Sequence, residues 1–61
     1  MDDTDIYVIN NGSTWTLQAQ SVRAADFLGL DSLGDSEFDA ADAKALCDKA
    51  KANGLNVKTD F

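Results

Sequence analysis

The first twenty residues carry the period-two pattern of a β-hairpin. Residues 5–10 are β-branched and aromatic at their centre, which favours a strand. Asn and Gly follow in residues 10–13, and these residue types tolerate the positive φ of a hairpin turn. Trp15, Leu17 and Ala19 then alternate with Thr and Gln, as expected for a half-buried strand. The sequence therefore predicts an N-terminal hairpin with one apolar face.

Helical signals replace this alternation further along the chain. Ser21 is a suitable N-cap and Gly29 a suitable C-terminal stop for a short first helix. Ser36 followed by Asp39 resembles a capping box, so a second helix is predicted over residues 36–53. Its inner stripe at helical spacing comprises Ala40, Ala43, Leu46, Cys47 and Ala50. The segment between the two helices is predicted to be an acidic loop or a single turn.

The end of the chain alternates again and predicts a third strand over residues 55–61. Before it, Gly54 ends the helix, and Leu55 can fold back on Ala50 as in a Schellman motif. The predicted fold is α+β with the order ββααβ: a three-stranded sheet, made of the hairpin and the C-terminal strand, with two helices on one face. The most apolar strand is the first, so it should lie in the middle, with Tyr7 and Ile9 on the open face. The expected core comprises Trp15, Leu17, Leu28, Leu46, Leu55 and Val57.

Size and composition limit the chemistry that the chain can perform. Residues 1–61 make one small domain in which 44% of residues are apolar, so the core is thin and a catalytic cleft is hard to fit. The absence of His removes the usual general base and the commonest metal ligand. Cys47, the single cysteine, falls on the helical stripe and is expected to be a core thiol. We therefore expect a protein that is not an enzyme and needs no cofactor or metal.

No stretch of the sequence has the length of a membrane span. The longest apolar run, residues 6–9, is four residues long, which is too short for a signal sequence or a transmembrane helix. We expect a cytoplasmic protein that does not bind membranes.

The net charge of -6 comes from one segment of the chain. Residues 24–43 contain no base and six acids, Asp26, Asp31, Asp35, Glu37, Asp39 and Asp42, whereas the charges elsewhere balance. A field of one sign attracts basic partners, which favours a protein with a nucleic-acid-binding surface as the target. Two alternatives remain: Asp35, Glu37 and Asp39 could stabilise a helix N-terminus, or the acids could be an adaptation to high salt.

A chain of this size with ten Asp and one Glu resembles the compact inhibitors that phages encode against bacterial defence, including anti-CRISPR and anti-restriction proteins. The resemblance rests on the six acids of residues 24–43. It implies a monomer in the bacterial host cytoplasm that presents carboxylates where its target expects phosphates. The target would be a CRISPR effector subunit or a nuclease, bound stoichiometrically, without direct binding to nucleic acid. Tyr7 and Ile9 could add an apolar anchor to this interface.

Two other classes of protein are compatible with the sequence. Residues 28–33 read LGLDSL and resemble the LGxDSL attachment motif of acyl and peptidyl carrier proteins, which implies Ser32 as the residue that carries phosphopantetheine. The second alternative is a structural or assembly protein of a phage or mobile element, which self-association would reveal.

Overall fold

The strands of the protein form one mixed sheet that carries two helices. The computed structural model describes residues 3–61. In chain order the elements are β1 (Ile6–Asn10), β2 (Thr14–Ala19), α1 (Val22–Leu28), β3 (Asp35–Asp39), α2 (Ala40–Ala52) and β4 (Val57–Thr59). The strand order in the sheet is β3-β2-β1-β4, with β1 parallel to β4 and both other pairs antiparallel. The α+β class is confirmed, but the sheet has four strands instead of the three predicted.

The turn of the hairpin and both ends of the first helix have the local interactions that the sequence predicts. Asn10 accepts a hydrogen bond at its side-chain oxygen from the Gly12 N–H, 2.8 Å away, and Gly12 has a φ of 100°. Ser21 caps α1 by accepting from the Ala24 N–H at 3.3 Å. Gly29 ends α1 in the left-handed conformation. β1 lies between β2 and β4, so its expected central place is confirmed.

The end of α2 also agrees with its prediction. The Leu55 N–H donates to the Ala50 carbonyl at 3.0 Å, and the Gly54 N–H donates to the Lys51 carbonyl at 3.0 Å. These are the two bonds of a Schellman motif, with Gly54 at a φ of 82°. The motif turns the chain back so that Leu55 is buried and β4 can join the sheet.

The predicted capping box at the start of the second helix is wrong. Residues 35–39 form the strand β3, and α2 begins only at Ala40. Asp39 is the N-cap, but its side chain makes no capping hydrogen bond. The physical reason is a period-two pattern in which half-buried Ser36 and Phe38 alternate with exposed acids. Pairing with β2 and burial of the Phe38 ring outweigh the low strand propensity of Asp.

The core lies between one face of the sheet and both helices. Ile6, Val8 and Leu17 are fully buried large side chains of the sheet. The helices contribute small residues, namely Ala24, Ala25, Ala43, Cys47 and Ala50. Of the six residues expected in the core, Leu17 and Leu55 are buried, while Trp15, Leu28, Leu46 and Val57 are partly buried and pack against it. Trp15 also contacts Phe61, with ring centroids 4.9 Å apart.

A buried carboxylate that the sequence did not single out joins three parts of the chain. Asp5 is 4% exposed and accepts two hydrogen bonds from Arg23, at 2.7 and 3.0 Å. It also accepts from the Ser21 hydroxyl at 2.6 Å and from the Asn56 N–H at 2.9 Å. Asp5 therefore links the start of β1 to the N-terminus of α1 and to the residue that precedes β4.

Stability should depend on Asp5 in acid. The hydrogen bonds from Arg23, then those from the Asn56 N–H and Ser21, hold the pKa of Asp5 well below its usual range, although burial opposes them. A lowered folded-state pKa adds stability above the unfolded value of about 3.9, and this contribution is lost as the pH falls below it. We expect the free energy of unfolding in urea to fall below pH ~4. In Asp5→Asn this acid-dependent loss should be smaller, whereas Asp3→Asn, at an exposed position, should behave like wild type. An equal acid slope for all three proteins would contradict this role.

Candidate protein-binding surface

The sheet has one face that neither helix covers. Ile6, Val8 and Leu17 point to the helices, so the alternate residues Tyr7 and Ile9 lie on the opposite, open face. The register places further residues beside them: Tyr7 is opposite Gln18, which is opposite Asp35, and Ile9 is opposite Thr16, which is opposite Glu37. Tyr7 and Ile9 are half-buried. Their predicted place on the open face is confirmed.

Three of the six predicted acids come together at one edge of this face. Asp35, Glu37 and Asp39 alternate along β3, and all three are exposed. Because a strand rises ~3.4 Å per residue, alternate side chains on one face repeat at ~6.8 Å. Half-buried Ser36 and Phe38 point the other way, toward the helices. The strand therefore presents a straight row of carboxylates, which we call the β3 acid row.

The other three acids lie elsewhere. Asp42 is exposed in the first turn of α2, where the helix dipole favours a carboxylate. Asp31 is exposed in the loop between α1 and β3, and Asp26 is exposed on α1, which packs against the far face of the sheet. The helix-dipole explanation fails for Asp35 and Glu37, because both lie in a strand.

No basic side chain of the described residues pairs with the carboxylates of the β3 acid row. Within residues 3–61 the ion pair joins Arg23 to Asp5, and none of the three row carboxylates has a basic group within ion-pair distance. Glu37 instead accepts a hydrogen bond from the Thr14 hydroxyl at 2.9 Å, which orients its carboxylate on the open face. The negative charge of the row is therefore available to an external partner.

Charge and polarity change across the open face from one edge of the sheet to the other. The β3 acid row forms one edge, the Thr and Gln side chains of β2 come next, and Tyr7 and Ile9 follow on β1. Lys58 lies opposite Tyr7 on β4, at the other edge. A partner that covers the whole face would meet acidic, polar, apolar and basic groups in that order.

No protein-family model, curated protein or solved structure matches the chain. Within residues 3–61, no helix is long and apolar enough to cross a membrane, and no group of three or more metal-ligating side chains comes together.

A surface depression of about 370 Å³ beside the start of β3 is lined by Gln18, Gln20, Leu33 and Asp35, among others. Its lining offers one carboxylate and two amides.

Cys47 is part of the core, as expected. It is 6% exposed on α2, and burial raises the pKa of its thiol, while Lys51 lowers it and Asp48 raises it. A thiol becomes a nucleophile only as the thiolate, so the raised pKa works against reactivity. The packing of Cys47 therefore indicates a structural side chain.

Ser32 of the carrier-like motif has different surroundings from those of a carrier domain. It is exposed in the loop between α1 and β3, and the chain continues into a strand. In a carrier domain the motif continues into an apolar-faced helix. The motif residue Gly29 serves here as the C-cap of α1.

Proposed function

We propose that this protein is an acidic inhibitor of the anti-CRISPR type, encoded by a phage. It binds a CRISPR effector subunit or a nuclease stoichiometrically, occupies the basic surface that reads DNA, and so blocks DNA recognition. The β3 acid row carries this proposal, because it places along one strand three exposed carboxylates that have no basic partner within residues 3–61.

The charge density of the row limits the size of the basic site that it can fill. Duplex DNA carries one charge per ~1.7 Å of axis, whereas carboxylates along β3 repeat at ~6.8 Å. The row therefore replaces a few phosphates and does not imitate a long duplex. Its advantage is rigidity, because β3 is held by pairing with β2 and the Glu37 carboxylate is oriented by Thr14. The target's Lys and Arg side chains meet charges already in place, so less side-chain ordering opposes binding.

Tyr7 and Ile9 would supply the apolar part of the same interface. Both are half-buried on the open face, across β2 from Asp35 and Glu37. Aromatic and apolar side chains near the centre of an interface often dominate its binding energy. A target that covers the row and extends over β2 would bury both side chains.

A different explanation of the row concerns protein association. Charged residues on an edge strand prevent sheets from pairing edge to edge, and this role needs no target. The two explanations differ in what neutralisation should do. If the charges only protect the edge, a variant with a neutral row should self-associate. Its affinity for a target protein should then equal that of wild type.

The experiment that tests the proposal neutralises the row at nearly constant size. The variant carries Asp35→Asn, Glu37→Gln and Asp39→Asn; Asn is an equally good N-cap at position 39. The control carries Asp3→Asn, Asp26→Asn and Asp48→Asn, which removes the same charge from exposed positions outside β3. We expect wild type and control to capture a nucleic-acid-binding protein from a bacterial lysate and to displace DNA from it. The β3 variant should bind that target with a slower on-rate and a weaker dependence on salt. Equal binding by both variants would refute the role of the row.

Inhibition should follow stoichiometry. An occupancy mechanism predicts that inhibition of the captured target stops rising once each target site is filled, with no change in the mass of the target. Titration of DNA binding, followed by intact-mass measurement of both proteins, checks this. Inactivation of many target molecules by one inhibitor molecule would exclude occupancy, and a phosphopantetheine adduct on Ser32 would favour a carrier function instead.

A further inference from the structure

The outer edge of β3 has backbone groups without partners in the sheet. The Ala19 N–H donates to the Gly34 carbonyl at 2.7 Å, and the Ala40 N–H donates to the Ser13 carbonyl at 3.3 Å. Inter-strand bonds in an antiparallel pair come at every second residue, so Ser36 and Phe38 exchange bonds with β2 between these two contacts. The N–H and C=O of Asp35 and Glu37, and the N–H of Asp39, consequently point away from the sheet.

Neither a strand nor a helix of the described residues pairs with this edge. β3 is the terminal strand in the order β3-β2-β1-β4, and it is five residues long. Edge strands with free backbone groups are templates for the addition of another strand. The residues with outward backbone groups are the same three that form the β3 acid row. An added strand would therefore be held by backbone hydrogen bonds and by contacts with the carboxylates.

We propose that an extended segment of the target, with Lys or Arg at alternate positions, pairs antiparallel with the outer edge of β3 as a fifth strand. This inference rests on the proposed function, because it states how the target engages the β3 acid row. Backbone hydrogen bonds to Asp35, Glu37 and Asp39 would fix the register of the segment, and its basic side chains would pair with the three carboxylates.

Charge complementarity selects this occupant. Side chains directly opposite each other in an antiparallel pair lie ~4.5–5.5 Å apart at Cβ, where opposite charges stabilise and like charges destabilise. A second copy of β3 would bring acids opposite acids, so self-pairing in that register is disfavoured. On the other face the added strand would lie beside Phe38 and Ser36, where an apolar residue fits. The preferred segment therefore alternates basic and apolar residues.

The probe is a short peptide in which lysine alternates with valine, added to the full chain. In antiparallel pairing, the lysines that face Asp35 and Glu37 direct their N–H groups toward β3, and the valines direct theirs away. N-methylation of the backbone nitrogens of the lysine residues removes the donors that would bond to β3. N-methylation of the backbone nitrogens of the valine residues gives a control peptide with the same mass and charge. Each lost hydrogen bond should weaken binding by about fivefold, so the lysine-methylated peptide should bind at least about twentyfold more weakly.

Amide exchange with solvent gives a second, residue-specific readout. In the complex with the unmethylated peptide, the amide protons of Glu37 and Asp39 should exchange more slowly than in the free protein. Those of Ser36 and Phe38, which bond to β2, should change little. Slowed exchange confined to alternate residues of β3 is the signature of an added strand, because docking by side chains alone leaves the outward amides open.

The outcomes separate this inference from the proposed function. Equal affinity of the two methylated peptides, no saturable binding of the unmethylated peptide, or unchanged exchange at Glu37 would overturn strand addition. If strand addition fails but the neutral β3 variant binds the captured target more weakly than wild type, the proposed occupancy of a basic surface remains supported. If that variant keeps the target, the proposed function itself is wrong, whatever the peptides do.

Discussion

Leu17→Ala should cost about 2–5 kcal/mol of the free energy of unfolding, the range for removing a large buried side chain. Leu17 is fully buried on β2 and belongs to the cluster that joins both helices to the sheet. A domain of this length has about 3–9 kcal/mol of stability in all, at roughly 0.05–0.15 kcal/mol per residue. The variant should therefore lose a large share of its stability and melt well below wild type, and thermal unfolding followed by circular dichroism would show this.

The chain offers a matched control for that measurement. Leu33 is 56% exposed, so Leu33→Ala makes the same chemical change outside the core and should alter stability by no more than about 0.5 kcal/mol. Leu46 is partly buried on α2, and Leu46→Ala should lie between the two. Similar melting temperatures for the Leu17 and Leu33 variants would mean that the core has been placed on the wrong residues.

Glu37→Lys should weaken binding to the captured target by at least about a hundredfold. Glu37 is the middle member of the β3 acid row, so the new lysine would face the target's basic groups, and like-charge contacts cost several kcal/mol. The fold should tolerate the change, because the side chain is exposed and the loss within the domain is one hydrogen bond from Thr14, about 0.5–1.5 kcal/mol. Association rates at two salt concentrations, with melting temperatures alongside, measure both effects.

Asp26→Lys provides the comparison for this reversal. It changes the net charge by the same amount, but it does so on α1, against the far face of the sheet. We expect it to slow association slightly through the general field and to leave the dissociation rate unchanged. If the two charge reversals weakened binding to the target equally, binding would depend on the net charge of the protein. The β3 acid row would then not be the binding site.

Local signals predicted the parts of the fold that local chemistry determines. The Asn10–Gly12 turn, the Ser21 cap and the Schellman end at Leu55 each depend on residues within a few positions of one another. The open-face position of Tyr7 and Ile9 followed from strand alternation, once one face was assigned to the helices.

The missed features depend on partners that are distant in the sequence. Residues 35–39 contain a pattern that resembles a capping box and have a low intrinsic tendency to form a strand, and only pairing with β2 makes them β3. The alternation around Phe38 was the available signal, but it spans too few residues to outweigh a capping pattern. The buried position of Asp5 has no local signal, because its contacts with Arg23 and Asn56 join residues 18 and 51 positions apart.

The pairing of β1 with β4 has a kinetic consequence. Ile6 pairs with Val57, so the last strand must close a loop of about fifty residues before it contributes any contacts. The β1–β2 hairpin is local and can form within ~1–10 μs, whereas distant pairings raise the mean sequence separation of contacts and are associated with slower folding. During synthesis on the ribosome, β1 therefore exposes one unpaired edge until the strand that covers it has emerged, and docking of β4 is expected to complete the native sheet.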